Sequence, residues 1–186
     1  MNYIKGAAIK VLPEIIEHYY NIEGLNKWLF SLSKESSSIF KNKISIKKWY
    51  PIVEGLLEPT MKFCVHFYNW NFKGAWELGR YSADFGLKTI HKFFLRMGSP
   101  HFLIKKASVI LPSYYKESKI DIIELEENRA VFMVYDFPYL NRIIDYRIAG
   151  WMERALEISG CSDVYVQVLE SFENNKKHTI IETNWK

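Results

Sequence analysis

The stretch VYDFPYLNRIIDYRIAGWMERALEISG, residues 134–160, joins an alternating apolar segment to a long amphipathic one. Alternation reads as a strand, Pro138 as a turn, and the rest as a helix with a glycine in its middle. The segment before it, KIDIIELEENRAVFMVYDFP, is two strands turning at about Glu127-Asn128. The segments after it, DVYVQVLES and HTIIETNW, are two more, turning at Asn174-Asn175. Hairpin, helix, hairpin leaves few topologies: a four-stranded antiparallel sheet with helices on one side.

Side-chain directions follow from the periods. In the second strand Val131, Met133 and Tyr135 point one way, Phe132 and Val134 the other. In the helix, Leu140 to Ser159, the buried stripe is Ile144, Ile148, Trp151, Ala155 and Ile158, with Arg147, Arg154 and Glu157 facing out. Gly160 is placed to cap it. Gly150 has no side chain, so the helix is expected to lie tightly on the sheet at Ala149-Gly150.

Residues 1–115 carry helical spacing instead. Ile9, Leu12, Ile16 and Tyr19 share a stripe, predicting a helix over Ala7–Tyr20, and Gly24 to Leu32 reads as a second. SLSKESSSIF reads as a Ser-rich connector. Pro51 suits the first turn of a helix in WYPIVEGLL, and Pro59 breaks or restarts it before TMKFCVHFYNW continues. Trp76, Ala83, Leu87, Ile90 and Phe94 line one face of a long helix after the NFKG turn. A last helix has Ser99 as N-cap and Pro100 at its first position and ends at Pro112.

With 186 residues, 48% of them hydrophobic, the chain reads as one domain, residues 1–186, with a sizeable core. A net charge of +4 is mildly basic and does not mark a nucleic-acid binder. Lys41, Lys43, Lys47 and Lys48 before Trp49-Tyr50 read as a solvated loop whose aromatics enter the core. Lys10, Pro13 and Glu14 interrupt the apolar N-terminal stretch, so no signal peptide is expected, and no apolar run is long enough for a membrane span. Cys64 and Cys161 have no metal spacing and read as reduced thiols. A cytoplasmic protein is expected.

Nucleophile, phosphate-loop and zinc motifs are missing from the sequence, so no enzyme is expected. Cys64 and His66 are two apart on a helix and point to nearly opposite sides, which argues against a shared metal. Glu126-Glu127 reads as solvated charge at a turn. Aromatic and apolar residues could line a ligand pocket or simply fill the core. Those singled out are Phe63, Phe67, Trp76, Phe85, Phe94, Tyr135, Ile144 and Ile148.

Short pieces spread over most of the chain carry a resemblance. Lys5-Gly6, Trp49-Tyr50-Pro51, Leu78-Gly79-Arg80, Ser99-Pro100 and Ala149-Gly150-Trp151 are similar to a DUF2378-type bacterial family first noted in myxobacteria. The helices followed by β-β-α-β-β resemble the superfamily of H-NOX domains, four-vinyl-reductase domains and TRAPP vesicle-tethering subunits. The resemblance implies an α+β fold, with a helical N-terminal half and a four-stranded antiparallel sheet. It implies a non-enzymatic sensor or carrier of an apolar, lipid-like small molecule in a bacterial signalling system. The alternative is a protein–protein interaction or dimerisation module without ligand, and a haem gas sensor ranks below both. Relatives associate through helices, which implies a homodimer, with a signalling protein as a further partner. H-NOX domains hold haem propionates with a Tyr-x-Ser-x-Arg strand motif. Here Tyr135 is present, but Phe137 and Tyr139 stand at the serine and arginine positions. No cofactor is therefore expected, and His91 and His101 are only nominal haem ligands.

Overall fold

A computed structural model describes residues 2–97, 99–137, 141–171 and 177–186, without the side chains of residues 86–97. The chain opens with strand β1 (Tyr3–Lys5) and a single turn, α1 (Gly6–Ile9). Helix α2 (Leu12–Ser31) is sharply kinked at Asn21, whose φ is 59°. The Asn21 side-chain oxygen accepts from the N–H groups of Glu23 and Gly24, so it caps a new helical start. The two expected helices are thus both present, separated by a kink at this capping asparagine.

The Ser-rich stretch is a helix, contrary to its reading as a connector. Helix α3 (Lys34–Lys41) is capped by Ser33, whose hydroxyl accepts from the Ser36 N–H. The carboxylate that completes the cap, Glu58, accepts from the Ser33 N–H at 2.6 Å and from the hydroxyls of Ser33 and Ser36. The helix expected in WYPIVEGLL starts only after Pro51, which itself ends a strand. Strand β2 (Trp49–Pro51) pairs antiparallel with β1 through Ile4 opposite Tyr50. A π-helical turn (Val53–Leu57) then leads into α4 (Glu58–Tyr68), with Pro59 in its first turn, where a missing N–H costs nothing.

Helix α5 (Lys73–Met97) is the long helix expected. The next one is broken: α6 (Pro100–Lys105) is capped by Ser99, and α7 (Ala107–Tyr114) runs through Pro112 instead of stopping there. Strands β3 (Lys119–Leu125) and β4 (Arg129–Tyr135) form the first hairpin, and β5 (Tyr165–Glu170) and β6 (His178–Asn184) the second pair. The expected turn at Asn174-Asn175 lies outside the described residues. Sheet order is β3-β4-β6-β5, all antiparallel, so the two pairs join through β4 and β6. Phe132 and Val134 enter the core, while Met133 and Tyr135 are half-buried on the other face.

Helix α8 (Arg142–Ile158) is capped by Asn141 and followed by Gly160 at φ +100°. It is held from two sides. Towards the sheet, buried Asp145 accepts from Thr179 at 2.8 Å and Ser171 at 2.6 Å. Away from the sheet it crosses α5 at almost bare backbone. A Cβ on Gly150 would stand 2.1 Å from the Trp76 carbonyl oxygen, and one on Gly79 2.2 Å from that of Arg147. The close approach expected at Gly150 exists, but its partner is α5 and not the sheet. The crossing is ringed by charge: Arg80 pairs with Glu153 and with Glu157 at 3.0 Å, and Arg154 with Asp84 at 2.8 Å.

Candidate ligand-binding site

With α8 fixed against α5, its remaining face meets α1, α7 and the sheet, and the four do not close completely. A cavity of about 100 Å³ is left between them. Ile148, Met152 and Ala155 of α8 form one wall, at the i, i+4, i+7 spacing of a helix face. Ala7 and Ala8 of α1 stand opposite, their small side chains leaving the space open. Ile104, Ala107 and Leu111 come from α6 and α7, and Ile120 and Phe132 from the sheet floor. The wall is mostly apolar, as a pocket for an apolar ligand requires.

The polar exceptions are Ser82, Tyr114, Tyr115, Arg147 and Thr183. Arg147, 4% exposed, lies on the wall together with Ser82 and Tyr115. It donates to Thr60 Oγ1 at 3.3 Å and to Ser82 Oγ at 3.2 Å. Tyr115, buried on the same wall, is close enough to interact with it electrostatically. Burial pushes the Tyr115 phenol above its ordinary range, against the pull of the cation beside it. Burial likewise pulls Arg147 below the usual guanidinium range, which Tyr115 only partly offsets. Arg147 was expected to face solvent, and this is the main correction at the site. The sequence reading gave α8 one buried stripe, but the helix is packed on both sides.

The other residues singled out from the sequence scatter. Ile148 is on the cavity wall. Ile144, one turn earlier, is fully buried off it. Phe63 and Phe67 pack with Tyr20 in the N-terminal core, their rings 5.5 and 4.0 Å from it. Trp76 sends its indole N–H to Glu153 at 2.8 Å. Phe85 lies edge-on to His18. Tyr135 donates to Asp121 across the hairpin at 2.9 Å. The side chains of Phe94 and His91 lie outside the described residues, as does Tyr139. His101 bonds the Glu126 carbonyl at 3.0 Å and packs edge-on against Trp185, and it is not on the cavity wall. Cys64 is buried and its thiol is pushed up to about 11, mainly by that burial.

The arrangement of helices over a β3-β4-β6-β5 sheet recurs in solved structures along nearly the whole chain. An H-NOX protein from S. oneidensis in the Fe(II)NO ligation state superposes with a TM-score of 0.75 at 13% identity, covering 98% of this chain and 99% of that one. An Fe(II) unliganded H-NOX protein from K. algicida gives 0.72 at 10% identity, with 98% and 97% covered. A structure from a study of haem distortion in the H-NOX family gives 0.62 at 13%, with 98% and 95% covered.

The fold is the H-NOX fold.

No family model matches the sequence, so the DUF2378-type assignment is not supported, and no curated protein matches it either. The expectation of no cofactor is overturned by the comparison. Proteins sharing this fold are described in Fe(II) and Fe(II)NO states and in terms of their haem. That expectation rested on Phe137 and Tyr139 standing at the serine and arginine positions of one strand motif, whereas the arginine on the cavity wall here belongs to helix α8. The cavity wall offers a haem the Arg147 cation and the Tyr115 phenol. No histidine among the described residues lines it, and about 100 Å³ is too small for a porphyrin in this conformation. The residues and space present therefore do not fit haem as they stand.

Proposed function

We propose that this chain is a ligand-binding sensor domain of a signalling system, with its ligand in the cavity between α1, α7, α8 and the sheet. The observation that carries the reading is that cavity: an apolar, partly open space between the helices and the sheet of an H-NOX fold, with a buried cation on its wall. A core built only for stability packs to crystal-like density and keeps few voids larger than a water. A volume of about 100 Å³ holds a small apolar group at once and a larger one only if the walls move. Alpha7 is the wall best suited to move, because none of its residues is fully buried and Val109 is 65% exposed. Such movement on binding is what a sensor needs, since a ligand shifts a conformational equilibrium only through unequal affinity for the two states.

The reading is non-enzymatic. The cavity's polar groups are hydroxyls, phenols and a guanidinium, which hold a ligand but supply no strong base at neutral pH. Cys64, held protonated by burial, is a poor nucleophile. A homodimer belongs to the same proposal. Ile22 and Phe30 of α2 are large apolar side chains exposed to solvent, and they belong to the proposed dimer contact.

Native mass spectrometry of protein purified without denaturation tests both parts. The expected spectrum shows two chains and one small molecule for each. A bare monomer that also fails to take up a saturating equivalent of haemin or of any apolar acid would refute the reading.

A further inference from the structure

Arg147 is a cation in the core with no anion beside it. Its hydrogen-bond partners are the hydroxyls of Thr60 and Ser82, and the Tyr115 phenol is a titratable neighbour. No carboxylate among the described residues lies within ion-pair distance of it, and none lines the cavity. The arginines around the α5–α8 crossing behave differently, since Arg80 and Arg154 each hold two or more carboxylates. Asp145, two residues from Arg147, is held on the sheet side by Thr179 and Ser171. A guanidinium stays charged in a protein, and burying one without a counter-charge is strongly unfavourable. Hydrogen bonds to neutral hydroxyls offset that only in part, because they bring no negative charge.

Ser82 shows how the cation is aimed. Its hydroxyl donates to the Leu78 carbonyl at 2.6 Å, so towards Arg147 it acts as an acceptor. Thr60 and Ser82 thus steady the fork from α4 and α5, while Arg147 stays on the cavity wall beside apolar Ile148 and Trp151. A buried guanidinium on the wall of an apolar cavity, with only neutral partners, is suited to receive two acceptor oxygens on an apolar body.

We propose that the ligand carries a carboxylate and that Arg147 is its seat, with the apolar remainder lying along α8 and α7. This rests on the cavity being the ligand site and adds the chemistry of the ligand's polar end. The carboxylate is that of an acyl chain, since the cavity does not fit a porphyrin, and a porphyrin propionate is the contrary outcome of the test.

The experiment compares matched pairs on the full chain. Decanoate is titrated against decanol by calorimetry, and haemin against its dimethyl ester by absorbance. Wild type is expected to bind decanoate about tenfold or more tighter than decanol, as one charge-assisted contact warrants. Arg147→Met should remove that preference, acid and alcohol then binding alike. A preference confined to haemin would overturn the acyl-acid reading. Should Arg147→Met not fold, the wild-type comparison still decides. If acid and counterpart bind equally in both pairs, the carboxylate seat is wrong while the ligand cavity stands. Retention of the acid preference in Arg147→Met also overturns the seat. If none of the four probes binds, the seat and the cavity reading fall together.

Discussion

Two glycines and one arginine carry the architecture at the scale of single residues. Gly79 and Gly150 let α5 and α8 meet at backbone, and each would place a Cβ about 2 Å from a carbonyl of the other helix. Backbone cannot swing aside as a side-chain tip can. Gly150→Ala is therefore expected to destabilise by roughly 1–3 kcal/mol, an overpacking cost that outweighs the gain of up to about 1 kcal/mol from helix propensity. Gly79→Ala should behave alike. The double variant should cost less than the two singles together, because one separation of the helices relieves both clashes. Urea melts with unchanged m-values measure this, and a Gly150→Ala midpoint above wild type would contradict the crossing. The tight approach at Gly150 was legible because a glycine within a helical stripe needs a reason. Its partner was not, since nothing local to residue 150 distinguishes a sheet from a helix 70 residues upstream. Arg147 was misread for a related reason: charge on a helix marks the wet face only when the helix has one.

At the scale of elements, the second half was read well and the first half less so. Hairpins announce themselves by alternation, and the strands of both pairs lie where the period of two placed them. Helix α3 was missed because its decisive partner is remote: Glu58 supplies the carboxylate that ties down Ser33 and Ser36. Beta2 was missed because Pro51 is as much at home on a strand edge as at a helix start. The Glu58 cap makes a pH prediction. Burial would raise this carboxyl, but the hydrogen bonds from Ser33 and Ser36 win and hold it below its ordinary value. A depressed folded pKa means that the contribution is present above the unfolded pKa and is lost as pH falls through the folded one. Glu58→Gln should thus lower the urea midpoint at pH 7, with the gap to wild type narrowing as pH falls below about 4. A gap that is constant from pH 7 to pH 3 would show that the charge of Glu58 is not what anchors α3.

For the whole molecule, the helical layer and the sheet meet through α7 and α8, and the cavity sits where that meeting is incomplete. N-terminal packing around Ile15, Ile16 and Trp28 is fully buried and lies away from the cavity wall. Ligand binding should then be felt locally. Methyl-resolved NMR of isoleucine-labelled protein, titrated with decanoate and separately with haemin, reads this directly. The cavity methyls of Ile104, Ile110, Ile120 and Ile148 should shift or broaden with at least one of the two and saturate near one equivalent, while those of Ile15 and Ile16 hold still. If both titrations leave the four cavity methyls unmoved, or move only methyls elsewhere, the cavity is not a ligand site.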